Sequence, residues 1–193
     1  SPSRLGGEAP PPPSPLGRDD GAGLRRGRIV HRLLELLPGI DIAGRRAAAG
    51  RLIARHAPDW DMQTAHGLTD SLLVLLDDPA HAPLFAPGSA AEVSIVGRLG
   101  DTVIAGQVDR LVVTPDAVLI VDYKTGTMPA GGAAGTPEAY LRQLAAYRAV
   151  LRGVYPGRAV TCALLWVDGP EFVTIPEAIL DRFDPSTEFG GRG

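Results

Sequence analysis

Ala117–Lys124, with the sequence AVLIVDYK, is the stretch that decides the fold. Its run of Val, Leu and Ile is typical of a buried β-strand, but the run ends in charged residues. Because side chains alternate across a strand, Asp122 and Lys124 share one face with Val118 and Ile120. The sequence therefore predicts a strand that buries its first half and presents a charged pair at the rim of a sheet.

Lys124 is the only lysine in the chain, beside eighteen arginines. A lysine carries a compact charge whose pKa burial can lower, whereas a guanidinium is a planar fork that stays protonated. We therefore expect Lys124 to occupy a site where arginine cannot substitute, with a lowered pKa. The alternative is compositional drift that left one lysine by chance.

Two further Val- and Ile-rich segments, 92–98 and 102–113, come directly before this strand. Gly100-Asp101 and Pro115-Asp116 separate the three segments, so the sequence predicts an antiparallel meander of three strands. Strands are also predicted at 160–167 and 172–175. Helices are predicted at 27–37, 42–57, 62–77 and 137–152, with a short one near the end. This order predicts an α/β fold in which helices flank a mixed central sheet, after an N-terminal helical segment.

The composition predicts one domain with a tether at its start. Residues 1–24 are rich in Pro, Gly and Ser and are predicted to be a flexible linker. Residues 25–182 form the predicted domain, and 183–193 a frayed tail. The chain begins with Ser1 rather than Met, so we expect it to be part of a longer polypeptide.

Composition also excludes several classes of protein. No apolar run approaches the roughly 20 residues of a membrane span. The single cysteine, Cys162, excludes an intramolecular disulfide and a four-cysteine iron–sulfur cluster, and is expected to be a buried, reduced thiol in a cytoplasmic protein. The net charge of −3 does not favour nucleic acid, so a DNA-binding protein of this composition must either cluster its basic residues or have the strand delivered to it.

Asp109 and Asp122 are the first candidates for chemistry. A tight turn at Pro115-Asp116 pairs their strands and would bring the two carboxylates close together. Such carboxylates repel, and one takes up a proton unless a cation lies between them; oxygen ligands suit Mg²⁺ or Mn²⁺. The alternative is an ordinary Asp122–Lys124 ion pair, with Asp109 paired to Arg110 or Arg98.

Three further polar residues stand in helical segments. His31 lies within an apolar run, where a lone histidine is often a satisfied core residue. Gln143 and Tyr147 are four apart on one helix face, which looks either toward the rim of the sheet or into solvent. Arg142, Arg148 and Arg152 on the same helix could provide a modest phosphate track.

These motifs resemble, in order and spacing, the RecB-type branch of the PD-(D/E)xK nucleases. The resemblance covers about residues 25–181 and rests on four segments: GRIVH ending at His31, GQVDR containing Asp109, VDYKTG containing Asp122 and Lys124, and QLAAY from Gln143 to Tyr147. Within this branch the segments are most similar to the C-terminal nuclease domains of AddA-type helicase–nucleases.

The resemblance implies roles for individual residues. His31, Asp109, Asp122 and the backbone carbonyl of Tyr123 would bind Mg²⁺, for which Mn²⁺ could substitute. Lys124 would orient or activate the attacking water, or stabilise charge on the phosphate. Gln143 and Tyr147 would position DNA and brace the site. Glu92 matches an acidic position of the family, with a surface charge as the alternative. The other histidines, His56, His66 and His81, match no motif and are expected at the surface or within helices.

The resemblance also implies an activity and partners. We expect an exonuclease acting on single-stranded DNA that a helicase portion of the same polypeptide delivers, with an AddB-like partner subunit, in recombinational repair of double-strand breaks. Two alternatives remain open. One is a nuclease-fold module with a structural or DNA-binding role, and the other is a different PD-(D/E)xK enzyme such as a restriction endonuclease or junction resolvase.

Overall fold

The computed structural model describes residues 21–185, which form five α-helices, four short 3₁₀ helices and five strands. The predicted linker and tail therefore lie mostly outside the described residues. The helices are α1 (Gly21–Leu36), α2 (Ile42–His56), α3 (Met62–Asp77), α4 (Glu138–Val154) and α5 (Glu177–Leu180). The strands are β1 (Ser89–Leu99), β2 (Thr102–Val113), β3 (Ala117–Lys124), β4 (Ala159–Trp166) and β5 (Glu171–Ile175).

The first helix begins at Gly21, six residues before the predicted start. Its first turns lack the apolar repeat on which the prediction relied. Instead, two arginines attach them to the rest of the protein. Arg25 forms a two-pronged ion pair with Asp59, and Arg26 pairs with Asp168. The helix therefore begins earlier than the apolar repeat predicts, because tertiary ion pairs hold its first turns in place.

The sheet is mixed, as predicted, and its strands lie in the order β1-β2-β3-β4-β5. The first three strands form the predicted antiparallel meander. Strand β4 then runs parallel to β3, and β5 returns antiparallel to β4. The parallel step requires a crossover, and α4 provides it.

Helices cover both faces of the sheet. One core packs α1, α2 and α3 against the face that carries Val121 and Tyr123. The other packs α4 and α5 against the face that carries Val118 and Ile120. The α/β architecture predicted from the sequence is confirmed. The alternation along β3 places Asp122 and Lys124 on the α4 side.

The sheet opens at one end between β2 and β3. Their paired residues run only from Arg110 with Val121 to Val113 with Val118. Beyond Arg110 toward its start, β2 is paired only with β1, and beyond Val121 β3 is paired only with β4. Asp109 and Asp122 are the first residues past this fork, so the two carboxylates stand on opposite sides of a cleft in the sheet.

Cys162 lies on β4 and is fully buried, as predicted. Its thiol is 3.7 Å from the carbonyl oxygen of Leu144, and burial raises the pKa of the thiol to about 12. This cysteine is therefore a core side chain. Among residues 21–185, no helix combines the length and the hydropathy that a membrane span requires.

Gly106 allows α4 to approach β2 closely, which yields a first prediction. A β-carbon built on Gly106 would lie 2.3 Å from the hydroxyl oxygen of Tyr147 and 2.7 Å from two of its ring atoms. Because Tyr147 is buried, making room for a β-carbon would require the surrounding core to shift. Gly106→Ala should therefore lower the free energy of unfolding by about 1–3 kcal/mol, measured by urea denaturation.

Gly153 is the matched control, because it lies in α4 and a β-carbon there meets nothing within 4 Å. Gly153→Ala should stabilise the protein by about 0.5–1 kcal/mol through its helix propensity. If both variants unfold at the same urea concentration, the close packing of Tyr147 on β2 is refuted.

Candidate metal centre

Three potential ligands converge from three elements at the open end of the sheet. They are His31 on α1, Glu92 on β1 and Asp109 on β2. Nδ1 of His31 lies 3.3 Å from Oδ1 of Asp109 and 3.5 Å from Oε1 of Glu92. One ligand atom from each residue lies within 4.8 Å of the other two. His31 therefore does not pack as an ordinary core residue; its side chain is 31% exposed and faces two acids.

Glu92 reaches this cluster through an unusual backbone conformation. Its neighbours Ala91 and Val93 pair with Arg110 and Val108, which places Glu92 opposite Asp109. Its φ is +52°, in the left-handed region, and it is the only residue other than glycine with positive φ in the range 21–185. This conformation costs an L-residue about 1–2 kcal/mol. The sequence is compatible with a surface charge at Glu92, whereas the structure places this residue at the cluster.

The two carboxylate oxygens of Asp109 have separate contacts. Oδ2 accepts a hydrogen bond of 2.7 Å from the backbone N–H of Tyr123, across the fork between β2 and β3. Oδ1 is the oxygen nearest His31. Asp109 is therefore oriented by the neighbouring strand, with one oxygen available toward the cluster.

Asp122 and Lys124 form an ion pair inside the cleft. Burial and the negative charge of Asp109 raise the pKa of Asp122 to about 6, although Lys124 and His31 partly offset this. The repulsion between two carboxylates that the sequence predicted is therefore present. The Asp122–Lys124 ion pair that the alternative interpretation expected is also present. It is not an isolated pair at the end of a strand, because the charge of Asp109 acts on it.

The predicted lowering of the Lys124 pKa is wrong. Burial would lower the pKa of Lys124, but the charge of Asp122 and the hydrogen bond with it outweigh burial, and the pKa is raised. The ammonium nitrogen also lies 3.8 Å from the ring centroid of Tyr140 on α4, a cation–π contact. Lys124 is thus held as a cation between a carboxylate and an aromatic ring.

The pKa of His31 is shifted in the opposite direction to that of an ordinary core histidine. Burial would lower its pKa, but contacts with Asp109 and Glu92 and their negative charges raise the pKa to about 10. Two carboxylates around one imidazole form a strongly negative pocket, in which a positive charge is stabilised.

Arg110 and Tyr123 connect the helix that carries His31 to the sheet. The guanidinium of Arg110 donates to the hydroxyl of Tyr123 at 2.9 Å and to the carbonyl of Leu34 at 2.5 Å. The Tyr123 ring meets the imidazole of His31 edge-on, with 5.7 Å between centroids. The alternative interpretation expected Arg110 to pair with Asp109. Arg110 instead orients α1.

Gln143 and Tyr147 brace α4 against β2. Nε2 of Gln143 donates to the hydroxyl of Tyr147 at 3.1 Å, and the tyrosine ring covers Gly106. Tyr147 is only 4% exposed, so the solvent-facing alternative is wrong for this side chain. The sequence pattern did not indicate Tyr140 or the role of Arg110. Tyr140 precedes Gln143 by three residues, a spacing that places both on one side of α4.

Several expectations for other residues need correction. Arg148 cannot belong to a phosphate track, because it is fully buried and pairs with Asp181 and Asp184. Arg152 pairs with Glu177, and Arg142 pairs with Glu138 and covers Phe183. His81 was expected at the surface or within a helix, but it is buried in the turn before Ala82, 3.4 Å from Asp78. Charge alone suggested the track; the partners of Arg148 and Arg152 are remote in sequence, whereas Glu138 lies one helical turn from Arg142.

The cluster fits a divalent cation. Its donors are an imidazole and two carboxylates, a set suited to Mg²⁺ or Mn²⁺ when carboxylates dominate. Oε1 of Glu92 is buried and accepts no hydrogen bond from residues 21–185, and so leaves an acceptor directed into the cluster. Ligation by Asp122 and by the Tyr123 carbonyl stays a prediction, because neither belongs to the three-residue group.

A comparison with family profiles shows the superfamily of this chain. The family profile described as the PD-(D/E)XK nuclease superfamily matches residues 7–185. No curated protein sequence matches the chain. A solved structure titled "Crystal structure of SSO0001" is 16% identical, over 85% of this chain and 76% of that chain, with a TM-score of 0.34.

The left-handed conformation of Glu92 gives a second prediction. Glu92→Gly and Glu92→Ala both remove the carboxylate, but only glycine adopts positive φ without strain. The glycine variant should therefore be more stable than the alanine variant by about 1 kcal/mol, measured by urea denaturation. An alanine variant as stable as the glycine variant would show that residue 92 is not strained.

Proposed function

Because the chain belongs to the PD-(D/E)XK nuclease superfamily, we propose that it is a divalent-metal-dependent deoxyribonuclease acting on single-stranded DNA. One observation carries the proposal. His31, Glu92 and Asp109 meet at the fork of the sheet, beside a lysine ammonium held in the same cleft.

Each group at the fork would have its own task in phosphodiester hydrolysis. His31, Glu92 and Asp109 would hold Mg²⁺, with Mn²⁺ as a substitute, and Asp122 and the Tyr123 carbonyl would complete the protein ligands. A bound Mg²⁺ supplies Lewis acidity toward the phosphate and lowers the pKa of water.

Lys124 would stabilise negative charge that develops on the phosphate. Its ion pair with Asp122 and its contact with the Tyr140 ring are both interactions of a charged ammonium. A preorganised cation in a partly dry cleft lowers the barrier because it needs no reorganisation during the reaction. The same ammonium can orient the attacking water by donating a hydrogen bond to it.

Gln143 and Tyr147 would support this machinery from α4. Tyr147 fixes the distance between α4 and β2, the strand that carries Asp109. The Gln143 amide is partly exposed and retains hydrogen-bonding capacity for a DNA strand. Arg142 is exposed enough to contact the same strand.

The finer proposal is an exonuclease of the AddA type. Its support is the order and spacing of the four sequence motifs, two of which supply His31 and Asp109 of the cluster, while a third supplies Asp122 and Lys124 beside it. In this proposal a helicase portion of the same polypeptide feeds unwound DNA to the nuclease domain, an AddB-like subunit completes the assembly, and the complex repairs double-strand breaks in the cytoplasm.

Cleavage of labelled oligonucleotides tests the proposal. Asp109→Ala and Asp122→Ala should each abolish Mg²⁺-dependent cleavage while circular dichroism shows an intact fold. EDTA should abolish wild-type cleavage, and Mn²⁺ should restore it. Circular single strands should resist cutting if the enzyme needs an end. Full activity of either aspartate variant would refute the metal-dependent mechanism, and cutting of circles would identify an endonuclease.

Lys124→Arg gives a separate prediction. A planar guanidinium is too large for the position between Asp122 and Tyr140, so turnover should fall about 10²–10³-fold. Arg98→Lys is the matched control near the exposed tip of the β1–β2 hairpin, far along β1 from Glu92, and should keep turnover near that of wild type. Turnover of Lys124→Arg within a few-fold of wild type would show that any cation serves at this position.

A further inference from the structure

Positive charge is concentrated in one part of this acidic chain. Residues 21–56 contain eight of the eighteen arginines and only two carboxylates, a net charge of +6 in a chain whose formal net charge is −3. The structure folds this segment into α1 and α2, which pack against each other and against the sheet. The basic residues are therefore clustered in space as well as in sequence.

Three of these arginines line a groove between α1 and α2. It encloses about 410 Å³, a volume within the range of small-ligand sites. The residues that line it are Arg25, Arg28, Ile29, Arg32, Leu52 and His56. The three arginines recur at helical spacing along α1, and Ile29 and Leu52 supply apolar surface between them.

The arginines of the groove differ in how they are neutralised. Arg25 is paired with Asp59, and Arg32 with Glu35. Arg28 is exposed and makes no ion pair or hydrogen bond with any residue of the described range. A free guanidinium at the wall of a groove is a ready partner for a phosphate, which it can bind with two parallel hydrogen bonds.

The position of Arg28 relates the groove to the metal centre. Arg28 precedes His31 by three residues on α1, so the two side chains leave the helix about one turn apart. A DNA strand with a phosphate at the cluster would therefore have another phosphate within reach of Arg28. The apolar residues of the groove offer contact surface for the sugar or base between the phosphates.

We propose that the α1–α2 groove binds the backbone of the substrate strand next to the phosphate that is cleaved, with Arg28 as the phosphate ligand. This inference rests on the proposed function. It answers the charge problem of the sequence, because Arg28 gives the domain a phosphate ligand of its own despite the net charge. It also moves the proposed phosphate contact from α4, where Arg148 is buried and Arg152 is paired, to Arg28 on α1.

Arg28→Ala tests the inference, with Arg98→Ala as a matched control. Both substitutions remove one positive charge from an exposed arginine, and Arg98 lies near the tip of the β1–β2 hairpin. Binding of a fluorescein-labelled oligothymidylate is measured by anisotropy in EDTA, where no cleavage occurs. Arg28→Ala should raise Kd about tenfold, whereas Arg98→Ala should leave it unchanged.

The salt dependence of binding separates a lost phosphate contact from a structural effect. For Arg28→Ala, the slope of log Kd against log salt concentration should fall by about 0.7, the value for one phosphate contact on a single strand. In Mg²⁺, KM for cleavage should rise while kcat stays unchanged. Equal Kd and equal salt slopes for the two variants would overturn the inference.

Further measurements show whether the groove binds a DNA strand or a small phosphate anion. They also show whether the groove proposal or the proposed function has failed. Inorganic phosphate and thymidine monophosphate should compete with the oligonucleotide far more weakly than unlabelled oligothymidylate does. Equal competition would overturn a strand site in favour of a small-anion site. If the wild type binds DNA through Arg28 but cuts none in Mg²⁺, the proposed function fails and the groove stands. If it cuts DNA and Arg28→Ala is indistinguishable from the control, only the groove fails.

Discussion

The hydrogen bond from the Tyr123 backbone N–H to Oδ2 of Asp109 is the interaction on which the site depends. Alternate N–H groups of a strand point the same way, so this donor faces β2, where the pairing has already stopped. A buried N–H without an acceptor costs free energy, and the carboxylate supplies the acceptor that the backbone of β2 does not. The strands can therefore separate without losing that hydrogen bond. The resulting fork is where His31 meets the acids.

The fork also explains the electrostatics of the site. Three acids, Glu92, Asp109 and Asp122, lie close together in a partly buried cleft, and their repulsion has to be offset. His31 and Lys124 supply positive charge, and their pKa values are raised although burial alone would lower them. A divalent cation would offset the repulsion between the same three acids. The arrangement therefore favours binding of positive charge where a phosphate would be attacked.

Rigid supports surround this cleft on both faces of the sheet. On one face, Arg110 bonds to Tyr123 and to the backbone of α1, which fixes the approach of His31. On the other, Tyr147 lies against Gly106, and Tyr140 covers the ammonium of Lys124. Metal ligands and charged groups held by such packing need little reorganisation when a substrate arrives. The residues between and beside the sequence motifs are therefore as important to the site as the motifs themselves.

Local sequence determined the elements and the identity of the chemical groups. The period-2 pattern of Ala117–Lys124 and the turns before it specify the meander, because alternation and turn residues act over a few positions. The order of the motifs around His31, Asp109, Asp122 and Lys124 was sufficient to suggest a metal-dependent nuclease. Only the tertiary structure decided the positions and pKa values of these groups. Glu92 enters the cluster through a left-handed backbone, Arg148 is neutralised by partners over thirty residues away, and Lys124 keeps its proton because a carboxylate outweighs burial. Burial, long-range pairing and strand separation depend on contacts between distant segments, and a linear pattern does not contain that information.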